Sequence, residues 1–185
     1  MAAMILAPFP PGKGTIPPIC ERLAGLGVTL RPAAATDIPF LGRLYAETRE
    51  AELPPWSPAE KDAFCASQFY LQHADYVRRF PDGDFWIVSQ RLEGIERDVG
   101  RLSVERKSGA WRLIDIIVSA GARGQGLGAA LVQWVQASAA AAGADAVVLS
   151  VLSDNPRARA LYLRLGFADW GDGDGLCQPM RWCPA

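Results

Sequence analysis

Residues 123–135, RGQGLGAALVQWV, join a glycine-rich turn to the start of an amphipathic helix. Gly124, Gly126 and Gly128 alternate there, ahead of apolar residues spaced as one buried helix face. The first turn of a helix has unpaired N–H groups and a partial positive charge, and glycines let an anion approach the backbone closely. Arg123 could add a charge-assisted hydrogen bond to a phosphate oxygen. The stretch therefore predicts a phosphate-binding turn, with close helix packing as the alternative reason for the glycines.

The segments on both sides of this turn predict an α/β (α+β) fold around one mostly antiparallel sheet. Three strands form a meander before the turn, and a continuous apolar strand, typical of a sheet centre, follows the helix. The predicted strands cover residues 28–31, 84–90, 98–106, 111–118, 146–152, 167–170 and 177–183. The predicted helices cover residues 37–50, 57–78, 126–142 and 156–166.

Capping residues and apolar spacing predict where two of the helices begin and which side of the second is buried. Thr36 is a candidate N-cap for the first helix, and Ser57 with Glu60 forms a predicted capping box for the second. The apolar side of the second helix is predicted to carry Phe64, Phe69, Leu71 and Tyr76.

Composition narrows the class of protein. The chain has 185 residues and a formal net charge of -1, so no basic field indicates nucleic acid or an anionic membrane as a partner. The four cysteines lack C-x-x-C spacing and there is one histidine, so no metal site is predicted and a reducing, cytoplasmic location is expected. The N-terminal residues lack the features of a signal peptide. Residues 1–27, rich in proline and glycine, are expected to be a poorly ordered extension of a single domain at 28–185.

A dinucleotide-binding turn is the first alternative for the glycines. Gly124, Gly126 and Ala129 satisfy G-x-G-x-x-G/A, and Asp154 ends the next strand as a ribose-binding acid would. Five residues, SAGAR, separate Val118 from the first glycine, where that fold turns tightly. The preceding meander is also foreign to a βαβ unit, so this alternative is disfavoured.

Two motifs in order resemble a known family. Arg123-x-x-Gly126-x-Gly128 resembles the acyl-CoA pyrophosphate loop of the GNAT superfamily, the Gcn5-related N-acetyltransferases. The second motif, NPRARALYLRLGF at residues 155–167, follows after one strand, at the distance that the family leads us to expect. The resemblance covers roughly residues 28–183. It implies a GNAT-like fold whose mostly antiparallel sheet contains one parallel, splayed strand pair and is flanked by about four helices.

The resemblance also implies acetyl-CoA as co-substrate and assigns site residues. The turn would hold the pyrophosphate, the backbone of Ile116 and Val118 would pair with the pantetheine amides, and Asn155 would bind the pantetheine arm. Tyr162 would protonate the leaving thiolate, although it could instead be a packed helix tyrosine, and Asn155 could instead be an N-cap. The implied cofactor-binding residues are Ile116, Val118, Arg123, Gly124, Gln125, Gly126, Leu127, Gly128, Asn155 and Tyr162.

The general base is not assigned by the sequence. An alkyl ammonium near pKa 10.4 must lose a proton before attack, which costs about 4–5 kcal/mol at pH 7. Asp115 is the catalytic candidate on the strand before the turn, with a structural carboxylate bonded to backbone or arginine as the alternative. A water-relayed base is equally compatible. The weaker candidates are Glu105, His73, Tyr70 and Tyr76.

The expected reaction is acetyl transfer from acetyl-CoA to a primary amine of a small molecule or peptide. The two helices at 37–50 and 57–78 would wall the acceptor site, and Glu47, Glu50 and Glu52 would suit a cationic amine if they are more than an exposed helix face. No cysteine is clearly placed in the cofactor cleft, so direct attack in a ternary complex is expected. A non-catalytic acyl-CoA-binding module, O-acetylation and a longer acyl donor remain alternatives, and a homodimer through the late strands or the proline-rich arm is conceivable.

Overall fold

The structure, a computed structural model, describes residues 6–50 and 53–184. In these residues it has seven strands and five α-helices, two more turns of 3-10 helix, and no helix long and apolar enough to cross a membrane. The helices are α1 (Glu21–Gly25), α2 (Ile38–Arg49), α3 (Pro58–Arg79), α4 (Leu127–Ala141) and α5 (Pro156–Arg164). The strands are β1 (Val28–Pro32), β2 (Asp84–Leu92), β3 (Ile95–Arg106), β4 (Ala110–Val118), β5 (Ala146–Leu152), β6 (Ala168–Asp169) and β7 (Cys177–Trp182).

One sheet contains all seven strands in the order β1-β2-β3-β4-β5-β7-β6. Every neighbouring pair is antiparallel except β4 and β5, which are parallel. The parallel pair is joined only where Ala110–Arg112 face Ala146–Val148. Beyond Arg112 the two strands separate, so the edge of β4 that faces β5 is left open. The predicted mostly antiparallel sheet with one splayed parallel pair is confirmed.

A β-bulge in β4 changes which residues face each side of the sheet. Ser103 pairs with Asp115 but the next residue of β3, Val104, pairs with Leu113, so Ile114 has no partner. Trp111 and Leu113 before the bulge face the main core, and so do Ile116 and Val118 after it. The bulge therefore turns Asp115 and Ile117 to the opposite face, toward α3.

The main core lies between the sheet and the helices α1, α4 and α5. Leu127, Leu131, Trp134 and Val135 of α4 are all almost completely buried there, as their helical spacing predicts. Trp134 packs edge-on against Trp86 of β2, with ring centroids 5.6 Å apart. Burial of each such side chain stabilises the fold by about 1.5–3 kcal/mol, and together they fix α4, and with it the position of its N-terminus, against the sheet.

A smaller core lies on the other face, under α2 and α3. The predicted capping box is confirmed, because the Glu60 carboxylate accepts the Ser57 N–H at 2.8 Å and the Glu60 N–H is donated to Ser57 Oγ at 3.4 Å. The Thr36 cap is wrong, because Asp37 is the residue that precedes α2. Asp37 instead holds the preceding 3-10 turn by accepting the Ala34 N–H at 2.8 Å.

The buried face of α3 differs in part from its prediction. Phe69 is buried as expected, but Phe64 and Leu71 are exposed, and Cys65 and His73 are buried. The spacing of Cys65, Phe69 and His73 is the helical repeat of four. The predicted buried face was placed by the large apolar residues Phe64 and Leu71. The buried positions of the helix instead carry a cysteine and a histidine, which are weaker signals of burial in a sequence.

The N-terminal segment, residues 6–27, is packed on the domain, in contrast to the poorly ordered extension expected from its composition. Leu23 of α1 is fully buried in the main core. Trp134 Nε1 donates a hydrogen bond to Pro18 O at 2.9 Å, and Arg106 Nη2 donates one to Thr15 O at 2.7 Å. Prolines limit regular structure but do not prevent burial, so a segment without helix or strand can still bury apolar side chains and pair its carbonyls.

Candidate functional site

The glycine turn between β4 and α4 is open toward the outside of the molecule. Gly124 and Gly126 both have φ of +80°, a left-handed backbone that L side chains rarely adopt, and Gly126 is the N-cap of α4. Within the described residues, nothing lies within 4 Å of where a Cβ would stand on Gly124 or Gly128. Packing therefore does not require these glycines, and the space beside the α4 N-terminus is accessible to an anion.

Two guanidinium groups lie at this turn. Arg123 is exposed, and its Nε donates a hydrogen bond to Val118 O at 2.8 Å, which fixes the start of the side chain against the end of β4. Arg22 of α1 donates from Nη1 to Gln133 Oε1 at 2.7 Å, and its Nη2 lies 3.9 Å from the position of a Cβ on Gly126. The turn is thus flanked by two cations, Arg123 directly before it in the sequence and Arg22 from the N-terminal segment.

The other predicted residues of the turn divide by exposure. Gln125 is exposed, with a long hydrogen bond of 3.5 Å from its Nε2 to Gly121 O. Leu127 is buried and anchors the first turn of α4 in the main core. The backbone, together with the two arginines, therefore supplies the polar surface of this turn.

A cavity of about 600 Å³ opens where β4 and β5 separate. We call it the central cavity. Its walls come from β4 and β5, the C-terminal ends of α2 and α3, the start of α5 and the β6–β7 region. Ile116 of β4 is in its lining, as are Asn155 and Tyr162 of α5 and Asp115. Val118 is not in this lining; it is the last residue of β4, two residues beyond Ile116 and before the segment that contains the glycine turn.

Tyr162 and Asn155 bring α5 to the central cavity. Tyr162 is 8% exposed, and its ring packs edge-on against Phe167 with centroids 5.7 Å apart. Burial, together with the nearby charge of Asp115, raises the pKa of Tyr162 to about 12, so the phenol is protonated at neutral pH. Asn155 Oδ1 accepts the Ala158 N–H at 3.0 Å. The N-cap alternative for Asn155 is therefore realised, at a residue that also lines the cavity.

Asp115 is held in an ion pair on the α3 side of the sheet. Arg101 of β3 donates from Nε to Asp115 Oδ2 and from Nη2 to Gln72 Oε1 of α3, the latter at 2.6 Å. The Arg101 side chain is 9% exposed and that of Asp115 17%. This is the structural alternative that the sequence left open, and it fixes the carboxylate in the cavity wall. Tyr76 also lines the cavity there, and burial followed by the charge of Asp115 raises its pKa well above the usual value for a phenol.

The remaining base candidates lie elsewhere. His73 is 5% exposed and donates from Nε2 to Ala7 O at 2.7 Å, so it holds the N-terminal segment on α3. Burial, partly offset by that hydrogen bond, lowers the pKa of His73. Glu105 is buried and paired with Lys107 at 3.0 Å. Neither these two residues nor Tyr70 lines the central cavity.

Two expectations about the cavity are corrected by the structure. Cys177 lines the central cavity, where no cysteine was expected. Burial, followed by the charges of Asp174 and Asp154, raises the pKa of the Cys177 thiol, so it is not activated as a nucleophile. Glu47 and Glu50 do not line the cavity, and the Glu47 carboxylate instead accepts the Ala120 N–H at 2.8 Å before the glycine turn. Glu52, the third glutamate of the predicted acidic cluster, lies outside the described residues.

Sequence reasoning missed several charged residues at the site. Arg101 and Gln72 position Asp115, Arg22 reaches the glycine turn, and Arg49, Arg79 and Arg112 are in the lining of the central cavity. These residues come from separate elements, and no local motif connects them. Had the bulge at Ile114 been foreseen, strand alternation would have placed Asp115 on the same face of the sheet as Arg101 and Arg112. Among the described residues, no group of His, Cys, Asp or Glu is arranged to hold a metal ion.

The family model for the acetyltransferase (GNAT) family matches residues 41–167, more than half of the chain. The chain belongs to this family. The matched region runs from α2 through α5 and includes the glycine turn, β4 and β5. The N-terminal segment lies outside it.

Solved structures of low sequence identity share the fold. A domain from Methanocaldococcus jannaschii superposes with a TM-score of 0.65 at 16% identity, over 85% of this chain and 98% of that one. The PaiA N-acetyltransferase from Thermoplasma acidophilum in complex with coenzyme A gives 0.62 at 14%, over 85% and 99%. The spermidine N-acetyltransferase from Vibrio cholerae in complex with coenzyme A and spermine gives 0.56 at 17%, over 85% and 95%. At these identities the likeness concerns the fold.

Proposed function

We propose that the protein transfers an acetyl group from acetyl-CoA to a primary amine of a small molecule or peptide, by direct attack within a ternary complex. The observation that carries the proposal is the separation of β4 from β5 beyond Arg112, which opens a cavity that leads to the glycine turn. An open strand edge pairs with an extended amide-bearing ligand as another strand would. Two relatives of the same fold, from Thermoplasma acidophilum and Vibrio cholerae, were solved with coenzyme A.

In this proposal the donor occupies the open edge of β4. The pyrophosphate lies on the glycine turn, where the N–H groups at the start of α4 and the Arg22 and Arg123 guanidiniums face it. The pantetheine arm follows the backbone of Val118 and Ile116 into the central cavity, beside Asn155. This path brings the thioester to the part of the cavity that Asp115 and Tyr162 line.

The chemistry divides between these two side chains. The neutral amine attacks the thioester carbonyl, the carbon–sulfur bond breaks, and the departing thiolate takes a proton from the Tyr162 hydroxyl, which is protonated at neutral pH. The proton lost by the amine passes to Asp115, directly or through water. Asp174, the other carboxylate in the lining among the described residues, accepts the N–H groups of Leu176 and Cys177 in its own turn.

A thermal-shift titration with acetyl-CoA, using NAD as the control, tests the donor half of the proposal. Acetyl-CoA at a hundred times its Kd should stabilise the fold by about 2.7 kcal/mol, and NAD should not. Absence of a shift with acetyl-CoA would contradict the proposal.

The Asp115→Asn variant tests the catalytic half. We expect a large fall in kcat/KM for an accepted amine, with the acetyl-CoA affinity preserved. If Asp115 is only a partner of Arg101, the variant should instead lose thermal stability while the folded enzyme keeps its turnover. If the wild-type protein binds acetyl-CoA but no added amine causes release of coenzyme A, the chain is an acyl-CoA-binding module. This is the alternative that the sequence already raised.

A further inference from the structure

We infer that the acceptor is an amine that also carries an anionic group, a carboxylate or a phosphonate, and that Arg112 binds this group. The inference rests on the proposed function, because it names the substrate class of the same site. It departs from the cationic amine that Glu47, Glu50 and Glu52 suggested in the sequence.

The charge around the central cavity is the first observation. Three arginines line it, Arg49 and Arg79 at the ends of α2 and α3 and Arg112 on β4. The carboxylates in the lining, among the described residues, are Asp115 and Asp174. Arg101 neutralises Asp115, and Asp174 is engaged by backbone N–H groups of its own turn. Among the described residues, the carboxylates of the lining are thus already engaged, and Arg112 brings a positive charge to this surface.

The position of Arg112 is the second observation. Arg112 is the last residue of β4 that pairs with β5, so it stands where the two strands begin to separate. It faces Glu105 across the strand pair, and Asp115 faces Ser103, so both side chains point to the α3 face of the sheet. Their partners on β3, Glu105 and Ser103, are two positions apart, so the backbone positions of Arg112 and Asp115 are separated by about 7 Å. A ligand with its amine at Asp115 is thus within reach of Arg112 through its other end.

The state of Arg112 is the third observation. It is partly buried, and no carboxylate in residues 6–50 and 53–184 forms an ion pair with it. Glu105, its cross-strand neighbour, is paired with Lys107 instead. A guanidinium has five N–H donors in a planar fork that matches a carboxylate or phosphonate, so an anionic ligand is the partner that suits it.

The other two arginines support this orientation without fixing it. Arg79 shares Asp75 at 3.3 Å and is largely exposed, and Arg49 lies over the Tyr45 ring with its guanidinium carbon 5.6 Å from the centroid. Both stand at the helix ends that wall the cavity, so they raise the local concentration of anionic ligands. A polyamine, by contrast, would bring several positive charges to these three arginines.

The test compares matched amines under steady-state conditions. L-amino acids with small, aromatic and aliphatic side chains are each paired with the C-terminal amide, and 1-aminoethylphosphonate and spermidine complete the panel. The amide has the less basic amine, which is neutral more often at pH 7, so chemistry alone would favour the amide. We expect the acid of at least one pair to have a kcat/KM about tenfold or more above that of its amide, as loss of one charge-assisted contact implies.

Variants of Arg112 test whether this side chain causes the preference for the acid over its amide. Arg112→Gln keeps most of the side-chain length without the charge, and should reduce the ratio of acid to amide by about tenfold, mainly through KM. Arg112→Lys should restore part of it. Arg97→Gln, at an exposed arginine of β3 outside the lining, should leave the ratio unchanged. Circular dichroism and acetyl-CoA calorimetry on each variant separate misfolding from altered specificity.

Several results would overturn the inference. It fails if spermidine or the amides are preferred, if the ratio survives in Arg112→Gln, or if no acid in the panel is acetylated. In each of these cases acetyl-CoA binding by calorimetry still supports the donor half of the proposed function. If acetyl-CoA itself does not bind, the proposed function fails as a whole.

Discussion

Tyr162 combines a buried side chain in the lining of the central cavity with a pKa raised to about 12. A phenol of this kind stays protonated across the physiological range and loses its proton only in strong base. In the proposed reaction Tyr162 can therefore give a proton to the thiolate, and a phenol of this pKa is a poor candidate for removing a proton from the amine.

Replacement of Tyr162 by phenylalanine should lower kcat by about 10²-fold, because the leaving thiolate loses its proton donor. The Kd for acetyl-CoA should change little, since the ring and its contact with Phe167 remain. In the wild type, the raised pKa implies that deprotonation of Tyr162 causes no loss of rate below about pH 11. Stopped-flow rates across pH, with calorimetry for the Kd, provide the check; an unchanged kcat in the variant would remove Tyr162 from the mechanism.

Cys177 gives a test of the direct-attack route. Its thiol lines the central cavity but has a raised pKa, so little thiolate is present at neutral pH. Cys177→Ser should keep kcat/KM within about threefold, the range of small context effects on a non-reacting side chain. Mass spectrometry of the wild type incubated with acetyl-CoA should find no acetylated Cys177. A stable acetyl-enzyme together with an inactive serine variant would point to a covalent intermediate instead.

At the scale of the element, a substitution at the start of α4 can change the affinity for acetyl-CoA without lowering the stability of the fold. Gly128 has a negative φ and open space around its Cβ position, so substitution is tolerated sterically. A carboxylate in the first turn of a helix stabilises it by about 0.3–1 kcal/mol, and the same charge repels a pyrophosphate.

Gly128→Glu should therefore raise the thermal midpoint or leave it unchanged, while weakening acetyl-CoA binding by about tenfold or more. Gly128→Ala is the matched control, and should stabilise α4 by up to about 1 kcal/mol with affinity retained. Differential scanning calorimetry and titration calorimetry on the same preparations give both quantities. Equal affinity in the two variants would show that the anion does not lie at this helix end.

The sequence predicted most elements, because the periodicity of α4 and the apolar run of β5 reflect burial that is nearly complete. It was less successful where polar residues are buried. His73 is not among the residues predicted for the buried side of α3, and Arg101, which holds Asp115, is not among the predicted site residues. Their partners are distant in the chain, so no local pattern signals the compensating hydrogen bonds.

At the scale of the whole molecule, the N-terminal segment connects the two faces of the sheet. Its early part contacts α3 through Ala7 and His73, and its helix α1 contacts α4 through Arg22 and Gln133. The expectation of a poorly ordered extension failed because composition reports local preference, whereas these residues are held by tertiary contacts.

The single histidine makes this packing sensitive to pH. Burial lowers the pKa of His73 in the folded protein below the ordinary value of 6.5, so the unfolded chain binds the proton more readily. The free energy of unfolding contributed by neutral His73 is thus complete above about pH 6.5 and is lost as pH falls below that value. Urea unfolding between pH 8 and 5 should show a steeper loss in the wild type than in His73→Gln; parallel slopes would contradict this assignment.

The unpaired Ile114 of β4 has a consequence for how this strand tolerates insertion and deletion. Ile114 is the extra residue, so its removal would close the bulge and leave Asp115 opposite Ser103, whereas a regular strand that kept Ile114 would point Asp115 into the apolar core and turn Ile116 to the α3 side. Two sequences aligned without a gap at this point could match every letter after it and still differ in which residues meet the substrate. In β4 the position of the bulge, together with the identity of the residues, decides which side chains lie on the α3 side of the sheet.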